Sequence, residues 1–397
     1  MVDVVMPARN AESTIRSAVG SIQRQTITDW RLIVIDDGST DATHSILTAL
    51  AEQDDRILIL RGAQQGVVGS LNLGLEHCRA PFVARQDSDD IAYPDRLERQ
   101  LATLTSDPDC VAVGCDLRHI DKDGVPTGNW GRFRPPETSD PNWVPAFEPY
   151  IAGPVFMARR EALQDVGGFR FMRVAEDSDL CWRLQEQGRL HNAPEVLADY
   201  RMHPDSITSR SIRLGRVNAV CSQRSALSAQ RRRSGRPDLE FSQASMKQQD
   251  ELTSMAALIE QAAVDLDARE IAWLKAASAA KLIELVLYRP FELEAEDCCF
   301  IAQALRGGDH LLSEENRAAL TQMLLTLSLR LAIARRFRDI ASLMRRSAII
   351  PTYRSWMSAI AIRIHFAVST RLARLREKGP PLEGRPKPFL RWRLRAL

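Results

Sequence analysis

Three carboxylates, Asp87, Asp89 and Asp90, fall within four positions of the run Ala-Arg-Gln-Asp-Ser-Asp-Asp-Ile (84–91). A short apolar strand, Pro81-Phe-Val-Ala84, leads into them, and a stripe of Leu97, Leu101 and Leu104 follows at helical spacing. So much negative charge at a strand end packs poorly. It suits a hard divalent cation, Mn²⁺ or Mg²⁺, which takes carboxylate oxygens and shares them with substrate phosphates. The other reading is a solvated acidic turn capping the helix that begins near Pro94. A second acidic pair, Glu176-Asp177, opens a segment with Leu180 and Leu184. A carboxylate there is stabilised as the anion by the helix dipole, and a simple N-cap is one reading of it.

The elements that must position these groups alternate. Asp3-Val-Val-Met6 is a buried first strand, broken by Pro7-Ala-Arg-Asn10. Ile15, Ala18, Val19 and Ile22 then mark a helix of 3.6 period. Trp30-Arg-Leu-Ile-Val-Ile35 is a second strand that ends in Asp36-Asp37-Gly38, with Ser39 or Thr40 as the expected cap of the next helix. Arg56-Ile-Leu-Ile-Leu60 is a third strand, and a helix starts near Gly66. This alternation predicts an α/β domain with a largely parallel sheet flanked by helices. In such sheets ligands bind at the carboxyl ends of the strands, where Arg9-Asn10, Asp36-Asp37 and the 87–90 carboxylates all fall. No Gly-x-Gly-x-x-Gly or Gly-x₄-Gly-Lys-[Ser/Thr] run is present, so neither a dinucleotide fingerprint nor a P-loop is supported.

Length and composition set outer bounds. The 397 residues suffice for two domains with sizeable cores. The first residues lack a basic n-region and a cleavage site, and no run of 18 apolar residues occurs, so neither a signal peptide nor a membrane span is expected. The seven cysteines form no Cys-x-x-Cys pair, which fits a reducing compartment and argues against structural zinc. The net charge of +2 hides an asymmetry: residues 331–397 carry 16 Lys+Arg against three Asp+Glu. Such a basic end calls for an acidic partner.

The N-terminal half resembles a family 2 glycosyltransferase of the GT-A (Rossmann-like) fold. The resemblance rests on Val-Val-Met-Pro-Ala-Arg-Asn (4–10), Ile-Val-Ile-Asp-Asp-Gly-Ser-Thr-Asp (33–41), Leu-Asn-Leu-Gly-Leu (71–75), the 84–91 run, Val-Gly-Gly-Phe (166–169) and Ala-Glu-Asp-Ser-Asp-Leu (175–180). Singly these are weak; in this order and spacing, across residues 2 to about 205, they are specific. The resemblance implies an inverting, metal-dependent enzyme that uses a nucleotide-sugar, most often a UDP-sugar, with Mn²⁺ or Mg²⁺ as cofactor. It places Pro7, Ala8, Arg9, Asn10 and Asp37 in the nucleotide pocket, with Asp36 orienting the loop. It makes Asp87 and Asp89 the Asp-x-Asp pair that holds the cation against the donor diphosphate, and puts His203 near the same cation. Asp90 is then free to cap the next helix, and Arg85 either approaches the phosphates or pairs with a neighbouring aspartate. Asp177 becomes the catalytic base that takes the acceptor hydroxyl's proton, supported by Glu176. The Gln-x-x-Arg-Trp mark of processive synthases does not follow Asp177, where Arg183-Leu-Gln-Glu-Gln187 stands instead. Transfer of a single sugar is the expectation.

Residues 106–150 show little periodicity. Asp121-Lys-Asp-Gly124 reads as a hairpin turn, and Trp130, Trp143, Phe147 and Tyr150 either line an acceptor site or pack under a long loop. Beyond about 215 the chain reads as mostly helical, with Arg231-Arg-Arg-Ser-Gly-Arg-Pro237 as an exposed linker. Within 353–376, apolar positions every fourth residue interleave with arginines in the manner of an interfacial helix, and Arg391-Trp-Arg-Leu-Arg395 sets Trp beside cations. The organisation expected is therefore a transferase domain over 1–212, a helical domain over 213–378 and a basic tail over 379–397. The expected partners are a nucleotide-sugar donor, a glycan or lipid-linked acceptor and an anionic membrane surface, with no nucleic acid. The expected location is cytoplasmic, at the inner face of the membrane, in surface polysaccharide or glycoconjugate synthesis. Two rivals stand: a sugar nucleotidyltransferase, whose Gly-rich N-terminal loop is missing here, and a catalytically silent membrane- or nucleic-acid-binding scaffold.

Overall fold

A computed structural model describes residues 1–202 and 211–345. His203, the 353–376 stretch and the basic tail lie outside the described residues. Strands and helices alternate first: β1 (Val2–Ala8), α1 (Ile15–Gln23), β2 (Trp30–Asp36), α2 (Thr43–Ala51), β3 (Ile57–Arg61), α3 (Gly66–Glu76), β4 (Phe82–Arg85), β5 (Ile91–Ala92) and α4 (Arg96–Ser106). Then come β6 (Cys110–Ile120), β7 (Pro126–Gly131), β8 (Met157–Arg159), α5 (Arg160–Asp165), α6 (Glu176–Leu184) and β9 (Arg189–Arg201). Helices alone follow: α7 (Ile212–Arg233), α8 (Gln243–Gln249), α9 (Met255–Ala262), α10 (Ala268–Tyr288), α11 (Ala295–Gly307), α12 (Glu314–Ile333) and α13 (Phe337–Arg345).

The strands form one sheet in the order β3-β2-β1-β4-β8-β6-β9-β5, with β7 added to β6. Its first half is the parallel ladder that the alternation predicts: β1 pairs with β2 and β4, and β2 with β3, all parallel. The second half is mixed. Strand β8 is antiparallel to both β4 and β6, whereas β6 and β9 run parallel. Strand β6 was not legible in the sequence. Its first eight residues are buried, so polar and apolar positions do not alternate along it. The 121–124 turn does join β6 to β7, with Gly124 at φ +85°.

Apolar faces explain the layers. Ile15, Ala18, Val19 and Ile22 of α1 are fully buried against the sheet, with Val4 and Leu32 in the same core. The helical region closes around α7 and α10. Its core is continuous with the transferase half: Val144, Met172, Val174 and Trp182 pack in one cluster with Val217, Leu274, Leu282 and Leu324. The 231–237 run is an exposed linker only from residue 233 on. Arg231 lies in the last turn of α7, is buried, and donates to Glu270 through Nε at 2.7 Å and Nη2 at 2.6 Å. The chain turns only afterwards, at Gly235 (φ +70°). Among the described residues no helix is long and apolar enough to cross a membrane.

Candidate active site

Because β1, β2 and β4 are parallel neighbours, the loops leaving their carboxyl ends emerge along one edge. The first two loops are laced together. The Asn10 amide donates to Ser39 Oγ at 3.0 Å, and Asn10 Oδ1 accepts from the Thr40 amide at 2.8 Å. The Ala11 amide donates to Thr43 Oγ1 at 2.7 Å. Asn10 sits at φ +50°, a conformation Asn tolerates better than most side chains. Pro7 is half-buried and Ala8 buried, while Arg9 and Asn10 are exposed at the rim. Neither Ser39 nor Thr40 caps α2; Asp41 Oδ1 takes the Thr43 amide instead.

The two aspartates of the second loop differ. Asp36 Oδ1 accepts the Ser39 amide at 3.0 Å, and its Oδ2 lies 3.0 Å from His44 Nδ1. Asp37 is buried and accepts the Gln65 and Gly66 amides at 3.2 and 2.9 Å. It therefore covers the amino end of α3, where unpaired amides favour an anion. Each of its oxygens keeps a second lone pair for another donor.

The acidic run of 87–90 is held from behind by a residue the sequence did not single out. Arg96 has no exposed surface. It donates to the Arg85 carbonyl at 2.6 Å, the Pro154 carbonyl at 2.9 Å, Gln86 Oε1 at 2.7 Å and Gln100 Oε1 at 3.1 Å. Burial brings its guanidinium down to about 10. Gln86 in turn donates to the Asp87 and Asp90 carbonyls, both at 3.0 Å. Asp90 does not cap α4. Its Oδ1 accepts the Arg201 amide at 2.7 Å, and its Oδ2 is buried without a partner. Burial, then the charges of Asp89 and Asp87, push the Asp90 carboxyl well above its ordinary range. Arg201 also donates through Nε to the Asp89 carbonyl at 2.9 Å.

Arg85 joins the two acidic motifs. Its guanidinium grips Asp87 from Nε (2.8 Å) and Nη2 (3.3 Å), and its Nη1 reaches Glu176 Oε1 at 3.2 Å, 91 residues away in sequence. The fit is close: a Cβ at Gly153 would lie 2.6 Å from the guanidinium. Burial disfavours the Arg85 charge, but Asp87 and Glu176 more than offset that and raise its pKa.

Helix α6 brings the second motif. Ala175, at φ +67°, precedes it, and Glu176 and Asp177 form its first turn. The turn at 166–169 is fastened to α3, with Asn72 Oδ1 accepting the Phe169 amide at 2.9 Å and Asn72 Nδ2 donating to the Phe169 carbonyl at 2.8 Å. Gly168, at φ +68°, is where only glycine fits, because a Cβ would stand 2.8 Å from Asn72 Oδ1. Arg183 of α6 donates to the Val166 and Gly168 carbonyls, each at 2.7 Å, so that turn also holds the helix.

Asp177 is half-buried. Oδ1 accepts the Ser178 amide at 2.8 Å, and the Tyr150 hydroxyl faces the same carboxylate. Burial, then the neighbouring Glu176 charge, push the carboxyl up to about 7, against the pull of Arg85, the Ser178 amide and Tyr150. A carboxylate of that basicity can accept a proton from an alcohol near neutral pH. Of Trp130, Trp143, Phe147 and Tyr150, it is Tyr150 that faces the acidic site. Trp143 and Phe147 stack on each other at 4.8 Å, and Trp130 is 49% exposed on β7.

The carboxylates of Asp87 and Asp89 are hard oxygen donors in one turn, and the next residue, Asp90, keeps a buried oxygen without a partner. That set fits Mn²⁺ or Mg²⁺ if a diphosphate and water complete the shell. Among the described residues no three His, Cys, Asp or Glu side chains converge closely enough to hold a metal unaided.

The model of the family "Glycosyl transferase family 2" matches residues 3–167. "Putative glycosyltransferase EpsE" of Bacillus subtilis (strain 168) is 34% identical over 225 residues, covering 55% of this chain and 79% of that protein. The Escherichia coli UDP-Glc:alpha-D-GlcNAc-diphosphoundecaprenol beta-1,3-glucosyltransferase WfgD is 36% identical over 105 residues, which are 26% of this chain and 41% of the relative. Among solved structures, S. aureus TarS 1-349 in complex with UDP-GlcNAc aligns with a TM-score of 0.48 at 16% identity, covering 86% of this chain and 89% of that one.

Proposed function

The chain belongs to glycosyl transferase family 2, and from that premise we propose that it is an inverting transferase that moves one sugar from a nucleoside diphosphate sugar to a hydroxyl of a glycan or lipid-linked acceptor. The observation that carries this reading is the Arg85 bridge, which sets the diphosphate-side motif at Asp87 against the α6 terminus that bears Asp177. Asp177 receives the acceptor hydroxyl's proton while that oxygen bonds to the anomeric carbon from the face opposite the leaving group. The bond from the anomeric carbon to the diphosphate oxygen breaks in the same step, configuration inverts, and the nucleoside diphosphate departs with the electron pair. No enzyme nucleophile is needed.

Pro7, Ala8, Arg9, Asn10 and Asp37 line the nucleotide end of the cleft, and Asp37 meets a base N–H with its remaining lone pairs. Asp36 holds the loop, and Glu176 tunes Asp177. Asp89 and Asp87 would hold Mn²⁺ or Mg²⁺, with His203 as a further ligand; the cation's role when bound is to neutralise charge on the departing diphosphate. UDP is the favoured nucleotide and a diphospho-lipid sugar the favoured acceptor, because the relative WfgD is named for both. Such an acceptor would bring the enzyme to an anionic membrane surface, which the basic 331–397 segment suits.

Calorimetric titration with UDP, GDP and dTDP, each with Mn²⁺ and with EDTA, tests the donor site. One nucleotide should bind only with metal, and Asp89→Ala should abolish that binding while the fold persists. Binding that ignores both EDTA and Asp89→Ala would remove the metal assignment. No binding of any nucleotide would remove the donor site.

A further inference from the structure

The 140–150 loop lies between the α6 terminus and the helical region, and the helical region grips it at several points. Gln230 of α7 donates to the Pro141 carbonyl at 2.6 Å. Gln223 of α7 accepts the Ala146 amide at 2.8 Å. Asn316 of α12 bonds the backbone at Val144. The strongest grip is ionic. Lys281 of α10, with 11% of its side chain exposed, places Nζ 2.8 Å from Oε1 of Glu148, whose side chain is 9% exposed. The other Glu148 oxygen accepts the Ser178 hydroxyl at 2.5 Å. Ser178 is the residue whose amide meets Asp177 Oδ1 at 2.8 Å.

We propose that Lys281 is a positioning residue for sugar transfer, acting through Glu148 and Ser178 to hold the Asp177 carboxylate. This rests on the reading of Asp177 as the base. Glu148 needs a buried cation beside it, since an unpaired buried carboxylate is costly and will turn toward water. If it turns, it releases the Ser178 hydroxyl, and the first turn of α6 loses its outer tether. Tyr150, two residues beyond Glu148 and facing the same Asp177, moves with the loop. The helical region is thereby part of the transferase site although Lys281 touches no substrate. Lys281 also lies 3.4 Å from Glu284, but that carboxylate is 41% exposed and does not lead to the site.

The test compares wild type, Lys281→Met, Lys281→Arg and Glu284→Gln in the full chain. Two readouts are taken: UDP release from UDP-glucose with Mn²⁺ and a GlcNAc-diphospho-lipid, and hydrogen exchange across 144–150 and 175–180. Lys281→Met should lower kcat about 100-fold, the usual cost of a misplaced catalytic group, with the donor KM within about twofold. It should also speed exchange in both segments. Lys281→Arg should restore both readouts, and Glu284→Gln should match wild type. Should Lys281→Met fold poorly, the double variant Glu148→Leu/Lys281→Met removes both the stranded charge and the Ser178 acceptor, and the same kcat loss is expected from it. Unchanged kcat and unchanged exchange at 175–180 in a folded Lys281→Met protein would overturn the proposal. So would faster exchange confined to α10. The exchange arm needs no substrate. A wild type that turns over no donor would therefore sink the transfer reading, while exchange still decides whether Lys281 controls the α6 terminus.

Discussion

Two regions of this molecule bury charge, and they bury it with opposite results. In the helical region the clusters are neutralised locally. Arg216, 3% exposed, meets Asp297 at 2.8 Å, Glu294 at 2.7 Å and Glu296 at 3.0 Å. Arg231 meets Glu270 at 2.6 Å, and that pairing holds the Glu270 carboxyl below its usual range despite burial. Where this region meets the transferase half, burial raises the Asp238 pKa, but hydrogen bonds from Ser228 and Arg170 overcome it and bring the carboxyl down to about 2. Every one of these shifts favours the charged form. At the strand edge, Asp87, Glu176 and Asp177 crowd around Arg85, Asp90 is buried beside Asp89 and Asp87, and the shifts of Asp90 and Asp177 favour the neutral form. Folding alone does not reward such crowding. A cluster that neutralises itself reads as structural, and one left acidic reads as a place for a cation, a proton or a substrate.

The sharpest way to break this contrast is to neutralise one group in each region. Asp177→Asn should lower kcat about 10³-fold and leave nucleotide affinity unchanged, as measured by initial rates beside calorimetry. Arg216→Met should do the converse. It strands Asp297 and should cost about 3–5 kcal/mol in chemical denaturation, with nucleotide binding intact while the chain is folded. Equal stability losses from the two would erase the distinction.

Acidity gives a finer test. As the proposed base, Asp177 must be ionised to take a proton, so kcat/KM should rise tenfold per pH unit below a limb at about 7. Glu176→Gln removes a charge that raises the Asp177 pKa, so the limb should move to lower pH. Stability should slope oppositely at the two sites. Between the ordinary value of 3.8 and about 7, native Asp177 keeps a proton that the unfolded chain has lost, so its contribution falls as pH rises through that window. Asp238 is the reverse: its contribution is present above 3.8 and is lost as pH falls toward about 2. Denaturation curves of Asp177→Asn and Asp238→Asn against wild type, taken across pH 2 to 8, separate the two. The smallest effect belongs to Lys122→Ala at the β6–β7 hairpin. Its 2.8 Å pair with Asp123 is mostly solvent-exposed and should not move Tm measurably.

Much of the transferase half was legible because its signals are local. Apolar runs ending in Pro7, Asp36 and Arg85 mark parallel strands buried on both faces, and the helical stripes between them have the right period. The candidate site carboxylates were visible for the same reason: Asp36, Asp37, Asp87 and Asp89 stand at strand ends, where apolar residues would otherwise continue, and Glu176 and Asp177 open a helix. What stayed hidden is long-range. Nothing near Arg96 distinguishes a buried clamp from a solvated arginine beside a leucine stripe. Strand β6 has no alternation to read. Glu148, Gln223 and Lys281 look like ordinary surface residues until α7 and α10 close over the 140–150 loop. Arg231 sat in a basic run that composition alone assigns to an exposed linker, yet Glu270 lies against it.

The sequence by itself determined the alternation, the parallel ladder and the strand ends at which acidic groups gather, because hydrophobic period and turn chemistry act over a few residues. Only the tertiary structure decided that Asp87 and Glu176 share one guanidinium, that Tyr150 reaches Asp177, and that a lysine on α10 steadies the same site. Those pairings join residues 27 to 133 positions apart. They exist because the apolar faces of α6, α7 and α10 bury one another, and the charged groups take whatever partners that burial leaves within reach.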